Sequence, residues 1–269
     1  MPSVRDLVDR DPEADPITVL TAYDTPTARI VDDAGIDVVL VGDSIGDAVL
    51  GHDSSLPVDL DTMATHTAAV SRGVDDALVV ADLPFLSYGV SDPESIRNAG
   101  RLLKKAGADA VKLESGPHTV ALTERLTRLG IPVQAHLGLT PQHVNRVGLQ
   151  RQGTDEAAAA EILDLAAAHE EAGAFSLVLE HVPANLAAYV TDELAIPTIG
   201  IGAGPDTDGQ VLVINDAVGL SERAPPFATA FGDVRGEMVE AVAAYRDGVV
   251  EGSFPGEEET YVEEGLELE

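Results

Sequence analysis

The chain has 269 residues, with 16 Lys plus Arg against 47 Asp plus Glu, a formal charge of −31, 45% hydrophobic residues and no cysteine. The missing cysteine excludes disulfides, thiolate zinc sites, iron–sulfur clusters and a cysteine nucleophile, and the charge argues against holding nucleic acid through its phosphates. With no basic and apolar leader and no run of about 18 uncharged apolar residues, a cytoplasmic protein is expected, neither exported nor membrane-spanning.

Short β-rich runs occur at residues 17–22, 36–41, 77–81, 110–113, 132–135, 176–179, 196–200 and 211–214. Helical stretches, with apolar residues three and four apart, lie between most of them at 26–34, 60–72, 93–106, 118–129, 155–172 and 184–194. A last helix is expected at 227–247. Glycine closes several of these helices, at Gly35, Gly107, Gly130 and Gly173, where the residue after a helix often needs positive φ. The strand runs are uninterrupted apolar, as in parallel strands covered on both faces. This pattern predicts an α/β chain folded as a (β/α)8 TIM barrel over residues 1–256, with an acidic tail at 257–269. An open doubly wound sheet is the alternative. The connection 201–210 is too short and glycine-rich for a full helix.

The acid excess is spread over the chain. Residues 257–269 hold seven Glu, so 24 of the 31 net negative charges belong to the body, which has only three lysines. Such a charge repels itself in dilute buffer, whereas molar salt shortens the screening length to about 3 Å. A halophilic source is therefore expected. The melting temperature should rise between low and molar KCl, and a flat response would refute this reading.

Five successive strands end in titratable residues. The second is followed by Asp43 and Ser44, the third by Asp82, the fourth carries Lys112 and Glu114, the fifth ends at His136 and the sixth at Glu180. Any one of these alone reads as a cap, a turn former or a hydrogen-bonded core residue. Five in register at the carboxyl ends of barrel strands point to one mouth, where barrel active sites are built. Asp43, Asp82 and Glu114 are hard oxygen donors suited to Mg²⁺ or Mn²⁺. A cation held there can be chelated by a 2-oxo acid and stabilise its enolate. Glu180 is the remaining carboxylate and the candidate base, while Lys112 and Ser44 suit the substrate's anionic end. The glycine-rich 200–204 segment lacks the spacing and following helix of a dinucleotide fingerprint and reads as a close-approach loop. The long connection from 137 to 155 reads as functional.

Ten blocks carry a family resemblance: ThrAlaTyrAsp (21–24), ValGlyAspSerIleGly (41–46), GlyHisAspSer (51–54), HisThrAlaAlaVal (66–70), AlaAspLeuProPhe (81–85), ValLysLeuGlu (111–114), HisLeuGlyLeuThrProGln (136–142), LeuGluHisValPro (179–183), GlyIleGlyAlaGly (200–204) and ProGlyGluGlu (255–258). In this order they resemble ketopantoate hydroxymethyltransferase. The resemblance implies one-carbon transfer from 5,10-methylenetetrahydrofolate, or a related pterin, to 3-methyl-2-oxobutanoate. The product would be 2-dehydropantoate (ketopantoate) for pantothenate and coenzyme A biosynthesis. It implies Mg²⁺, or Mn²⁺, at Asp43, Asp82 and Glu114; substrate contacts at Asp43, Ser44, Asp82 and Lys112; Glu180 as proton acceptor; and His136 at an active-site position. It further implies a barrel of the phosphoenolpyruvate/pyruvate type and a homo-oligomer, often a decamer. Residues 144–153 depart from the Gly-Gly-Tyr-Lys-rich loop common in the family, and His181 stands where members often have Cys. The competing readings are a C–C lyase or phosphomutase of the same barrel group, and a non-catalytic barrel that binds a 2-oxo acid.

Overall fold

The computed structural model describes residues 3–11 and 15–263. The chain forms two compact units, Met1–Ile214 and Asn215–Glu269. The first begins with a short helix α1 (Val4–Val8) and continues through β1 (Ile17–Thr21), α2 (Thr25–Asp33), β2 (Val38–Val41), α3 (Ile45–Ala48), α4 (Leu60–Ser71), β3 (Leu78–Asp82) and α5 (Asp92–Arg101). It goes on with β4 (Ala110–Glu114), α6 (Val120–Arg128), β5 (Val133–Gly138), α7 (Val144–Val147), α8 (Glu156–Glu171), β6 (Ser176–Glu180), α9 (Ala184–Glu193), β7 (Thr198–Ile201) and β8 (Gly209–Leu212). The eight strands pair in sequence order, all parallel, and β1 pairs with β8 to close the barrel.

All eight expected strands form, with shifts at their ends. β8 starts at Gly209, two residues before the apolar run, because Gly209 and Gln210 pair with both β1 and β7; ladder pairing overrides weak strand propensity there. The 201–210 connection holds no helix, as expected. The expected helix at 93–106 divides into α5 and a π-helical turn, Leu102–Ala106, which widens the coil before Gly107 ends it at φ 85°. α1, α3 and α7 span five residues or fewer, too short for a periodic signal. Among the described residues, no helix is long and apolar enough to cross a membrane.

Alternation along each strand sorts side chains inward and outward. Ile17, Val19, Val38, Leu40, Leu78, Val80, Ala110, Val178, Ile199 and Val211 fill the barrel interior, where Leu7 of α1 joins them. The outward rows of β5 and β6, Ala135, Leu137, Leu177 and Leu179, pack under Ile162 and Ala166 of α8 and Leu186, Ala187 and Val190 of α9. Each large aliphatic side chain so buried contributes about 1.5–3 kcal/mol. The inward rows change character near the carboxyl ends: Leu78 and Val80 lead to Asp82, Ala110 to Lys112 and Glu114, and Val178 to Glu180. The apolar interior thus becomes the floor of a polar mouth.

Acidic residues also do local structural work. Asp24, Asp59 and Asp155 cap α2, α4 and α8 by accepting backbone N–H bonds, each worth about 1 kcal/mol. The Asp32 carboxylate takes the N–H groups of Asp75, Asp76 and Ala77, and the net effect against its partial burial is a lowered pKa.

In the second unit, α10 (Ile214–Ala217) crosses the boundary and α11 (Val234–Glu251) is the main element. α11 starts later than the expected 227, because Asp233 caps it by accepting from the Gly236 N–H, and Gly252 ends it in the left-handed conformation. The expected acidic tail begins at 257, and residues 264–269 lie outside the described ones.

Candidate active site

Strand register sets the site. Asp82 lies opposite Lys112, Glu114 opposite His136, and Gly138 opposite Glu180. The predicted residues therefore occupy one arc across β3 to β6, and Asp43 joins it from the turn after β2 by donating its backbone N–H to Asp82 Oδ2 at 3.0 Å. Asp43, Asp82, Lys112, Glu114 and His136 are all at most 7% exposed.

Two groups of side chains emerge. In the first, Lys112 Nζ is 2.9 Å from Asp82 Oδ1. Burial works against the Lys112 ammonium, but the charges of Asp82 and Asp43 outweigh it and the net pKa rises, so this side chain is a fixed cation. The Asp43 carboxyl moves the other way for a carboxylate: burial first, then the facing Asp82, hold its pKa well above the usual range. Ser44, half-buried, shares a 2.8 Å hydroxyl contact with Tyr23. The Tyr23 phenol is itself pushed up, chiefly by burial. In the second group, Glu180 Oε2 lies 3.2 Å from His136 Nε2, a contact too poorly aligned for a hydrogen bond, and His136 Nδ1 has no hydrogen-bond partner.

Gly138 makes the second group possible. Its φ is 96°, and a Cβ there would stand 2.2 Å from the Glu180 carbonyl oxygen, a distance no side chain tolerates. Gly204 confirms close approach in the 200–204 loop, since a Cβ would meet that of Ala184 at 2.4 Å.

The structure also assigns work to residues the sequence did not single out. Gln142, in the 3₁₀ turn Pro141–His143, donates from Nε2 to Asp43 Oδ2 at 2.8 Å and to the Leu83 carbonyl at 3.0 Å. Its backbone N–H reaches both Glu114 oxygens at 2.9 and 3.1 Å. Tyr88 donates its hydroxyl to Gln142 Oε1 at 2.8 Å and accepts from the Glu114 N–H at 3.1 Å. Gln142 ends the HisLeuGlyLeuThrProGln segment (136–142), whereas Tyr88 carries no signal beyond following the third strand. Asp43, Asp82 and Glu114 share a neighbourhood, yet among the described residues no three His, Asp or Glu side chains converge as a ready-made metal cluster.

Comparisons with known proteins identify the family and the fold. A family model described as ketopantoate hydroxymethyltransferase matches residues 2–257. A 3-methyl-2-oxobutanoate hydroxymethyltransferase of Natronomonas pharaonis is 66% identical over 94% of each chain. One of Halobacterium salinarum is 64% identical over 98% of this chain and 97% of its own. Among solved structures, a phosphoenolpyruvate phosphomutase from Streptomyces platensis subsp. rosaceus shares the fold at TM-score 0.63 and 15% identity, covering 93% of this chain and 87% of that one. A phosphonopyruvate hydrolase solved with oxalate and Mg²⁺ does so at TM-score 0.61 and 15% identity, covering 96% and 93%. At that identity the structures speak for the barrel alone, but the near full-length sequence matches go further: the chain belongs to the ketopantoate hydroxymethyltransferase family and is a transferase.

Proposed function

We propose that this chain transfers a one-carbon unit from 5,10-methylenetetrahydrofolate, or a related pterin, to 3-methyl-2-oxobutanoate. The product is 2-dehydropantoate, for pantothenate and coenzyme A biosynthesis. The observation that carries this reading is the continuous arc in which a buried acid cluster, with Lys112 as its cation, meets the Glu180–His136 pair. Relatives bearing that activity in their names support it.

A divalent cation, Mg²⁺ or Mn²⁺, fits the acid cluster by charge and donor type. Three carboxylates face one ammonium, and burial together with the facing Asp82 raises the Asp43 carboxyl pKa well above the usual range, an imbalance that a second cation relieves. Asp43, Asp82 and Glu114 would hold the cation. When bound, the cation acts as a Lewis acid on the 2-oxo group and makes the adjacent C3–H acidic.

Around it, this chain's residues do the rest. Lys112 and the Ser44 hydroxyl hold the substrate carboxylate. Glu180 takes the C3 proton, with His136 beside it to share the charge. The carbon so freed bonds to the donor's methylene carbon and water adds its hydroxyl there. Both methylene–nitrogen bonds break, and the two nitrogens take up the proton removed from C3 and the remaining proton of water, so the donor leaves as its tetrahydro form. The protein would work as a cytoplasmic homo-oligomer. α11 supports that assembly, since Met238, Val242, Tyr245 and Val250 are exposed and the helix buries no residue.

The test is an assay of purified protein in molar KCl with Mg²⁺ and each donor in turn. Formation of 2-dehydropantoate is expected with at least one donor, and none with any would overturn the reading. EDTA should cut activity by about 10²-fold or more, given the several kcal/mol a Lewis acid supplies. Mg²⁺ or Mn²⁺ should restore it. Activity that withstands EDTA removes the cation from the proposal.

A further inference from the structure

We propose that Gln142 is a positioning residue that makes Asp43 a single-oxygen ligand for the divalent cation. The inference rests on the cation site proposed above and concerns how that site is set.

The Gln142 side chain is 5% exposed and every polar atom of its amide is engaged. Tyr88 fixes which way the amide faces. Its hydroxyl accepts the Glu114 N–H, and of the two acceptors its proton faces, Gln142 Oε1 at 2.8 Å is much nearer than the Glu114 carbonyl at 3.3 Å. The –NH₂ group is therefore directed to Asp43 Oδ2 and to the Leu83 carbonyl, where both partners are acceptors. One lone pair of Asp43 Oδ2 is thereby taken and the carboxylate is held in one orientation, which leaves Oδ1 the more open oxygen for a cation. The backbone N–H of the same residue is shared by both oxygens of Glu114 and fixes how that carboxylate faces the site. One residue thus divides the labour among two carboxylates from two strands.

Hydrogen bonds to ligand carboxylates fix their orientation and typically set metal affinity by 10–100-fold. Replacing the amide by an apolar chain of similar length, Gln142→Met, removes only the side-chain bonds and leaves the backbone bond to Glu114. Mn²⁺ affinity of the free protein, followed by the electron paramagnetic resonance signal of unbound Mn²⁺ in molar KCl, is expected to fall about 10–100-fold. Tyr88→Phe keeps the amide but removes its orienting hydroxyl, and should weaken Mn²⁺ binding by a smaller factor.

A merely structural Gln142 would lower the melting temperature and leave the Mn²⁺ affinity of the folded protein unchanged; that result overturns the proposal. If Gln142→Met does not fold, Tyr88→Phe decides the matter, and wild-type Mn²⁺ affinity in that variant overturns it. Asp43→Asn separates the two levels. Wild-type protein that binds Mn²⁺ no better than Asp43→Asn overturns the cation site itself, and this inference with it. Tight binding by wild type and by Gln142→Met alike overturns only the role of Gln142.

Discussion

Glu180→Gln is expected to slow the exchange of the C3 hydrogen of 3-methyl-2-oxobutanoate in deuterated water by about 10²–10⁴-fold, the usual contribution of a positioned general base. The measurement omits the one-carbon donor, so it isolates proton removal from carbon–carbon bond formation. The substitution is nearly isosteric, so folding should be little affected. The rationale is positional. Glu180 ends an inward row of β6, and Gly138 lets β5 pass close enough for His136 Nε2 to sit 3.2 Å from the carboxylate. A glutamine there keeps the shape and cannot take the proton. Exchange at the wild-type rate would remove Glu180 from the role of base. The same assay distinguishes a catalyst from a barrel that only binds the keto acid, since binding alone leaves the proton in place.

Much of this arrangement was readable before any coordinates. Strands covered on both faces appear as unbroken apolar runs, so all eight were visible, and the titratable residue ending each of β3 to β6 followed at once from where those runs stop. Boundaries were less visible where pairing outweighs residue preference, as at Gly209 and Gln210, and where a cap resets a helix, as at Asp233. The hidden part of the site is its support. Gln142 acts through contacts to residues 28, 59 and 99 positions away in sequence, and no local pattern encodes a bond between elements that meet only when the barrel closes. Tyr88 was invisible for the same reason, and Tyr23, though inside the ThrAlaTyrAsp block, gave no sign of its contact with Ser44. The orientation of Glu114 was equally unreadable: it is set by the Gln142 backbone N–H, which the sequence does not place.

Lys112→Met is expected to be the most damaging single change to stability. The ammonium is buried against Asp82 at 2.9 Å, with Asp43 and Glu114 also acting on it. Methionine keeps much of the aliphatic stem and its packing, so the variant chiefly removes charge. Breaking a buried ion pair from one side costs about 3–5 kcal/mol, because the remaining charge is left without a partner. For a chain of this size that corresponds to a fall in melting temperature of about 6–20 °C. The deficit should depend on pH in a definite direction. Asp43 already has a raised carboxyl pKa from burial and from Asp82, and losing the ammonium raises it further. A carboxyl with a folded pKa above its unfolded value binds more protons in the folded state, so stability is gained as pH falls. The gap between variant and wild type should therefore narrow from pH 8 to pH 5. Molar KCl should not close it, since bulk ions screen a buried pair poorly, whereas Mg²⁺ entering the acid cluster should close part of it. A melting temperature within about 2 °C of wild type at pH 8 would mean that the cluster is compensated without Lys112, and the electrostatic account of the site would fall.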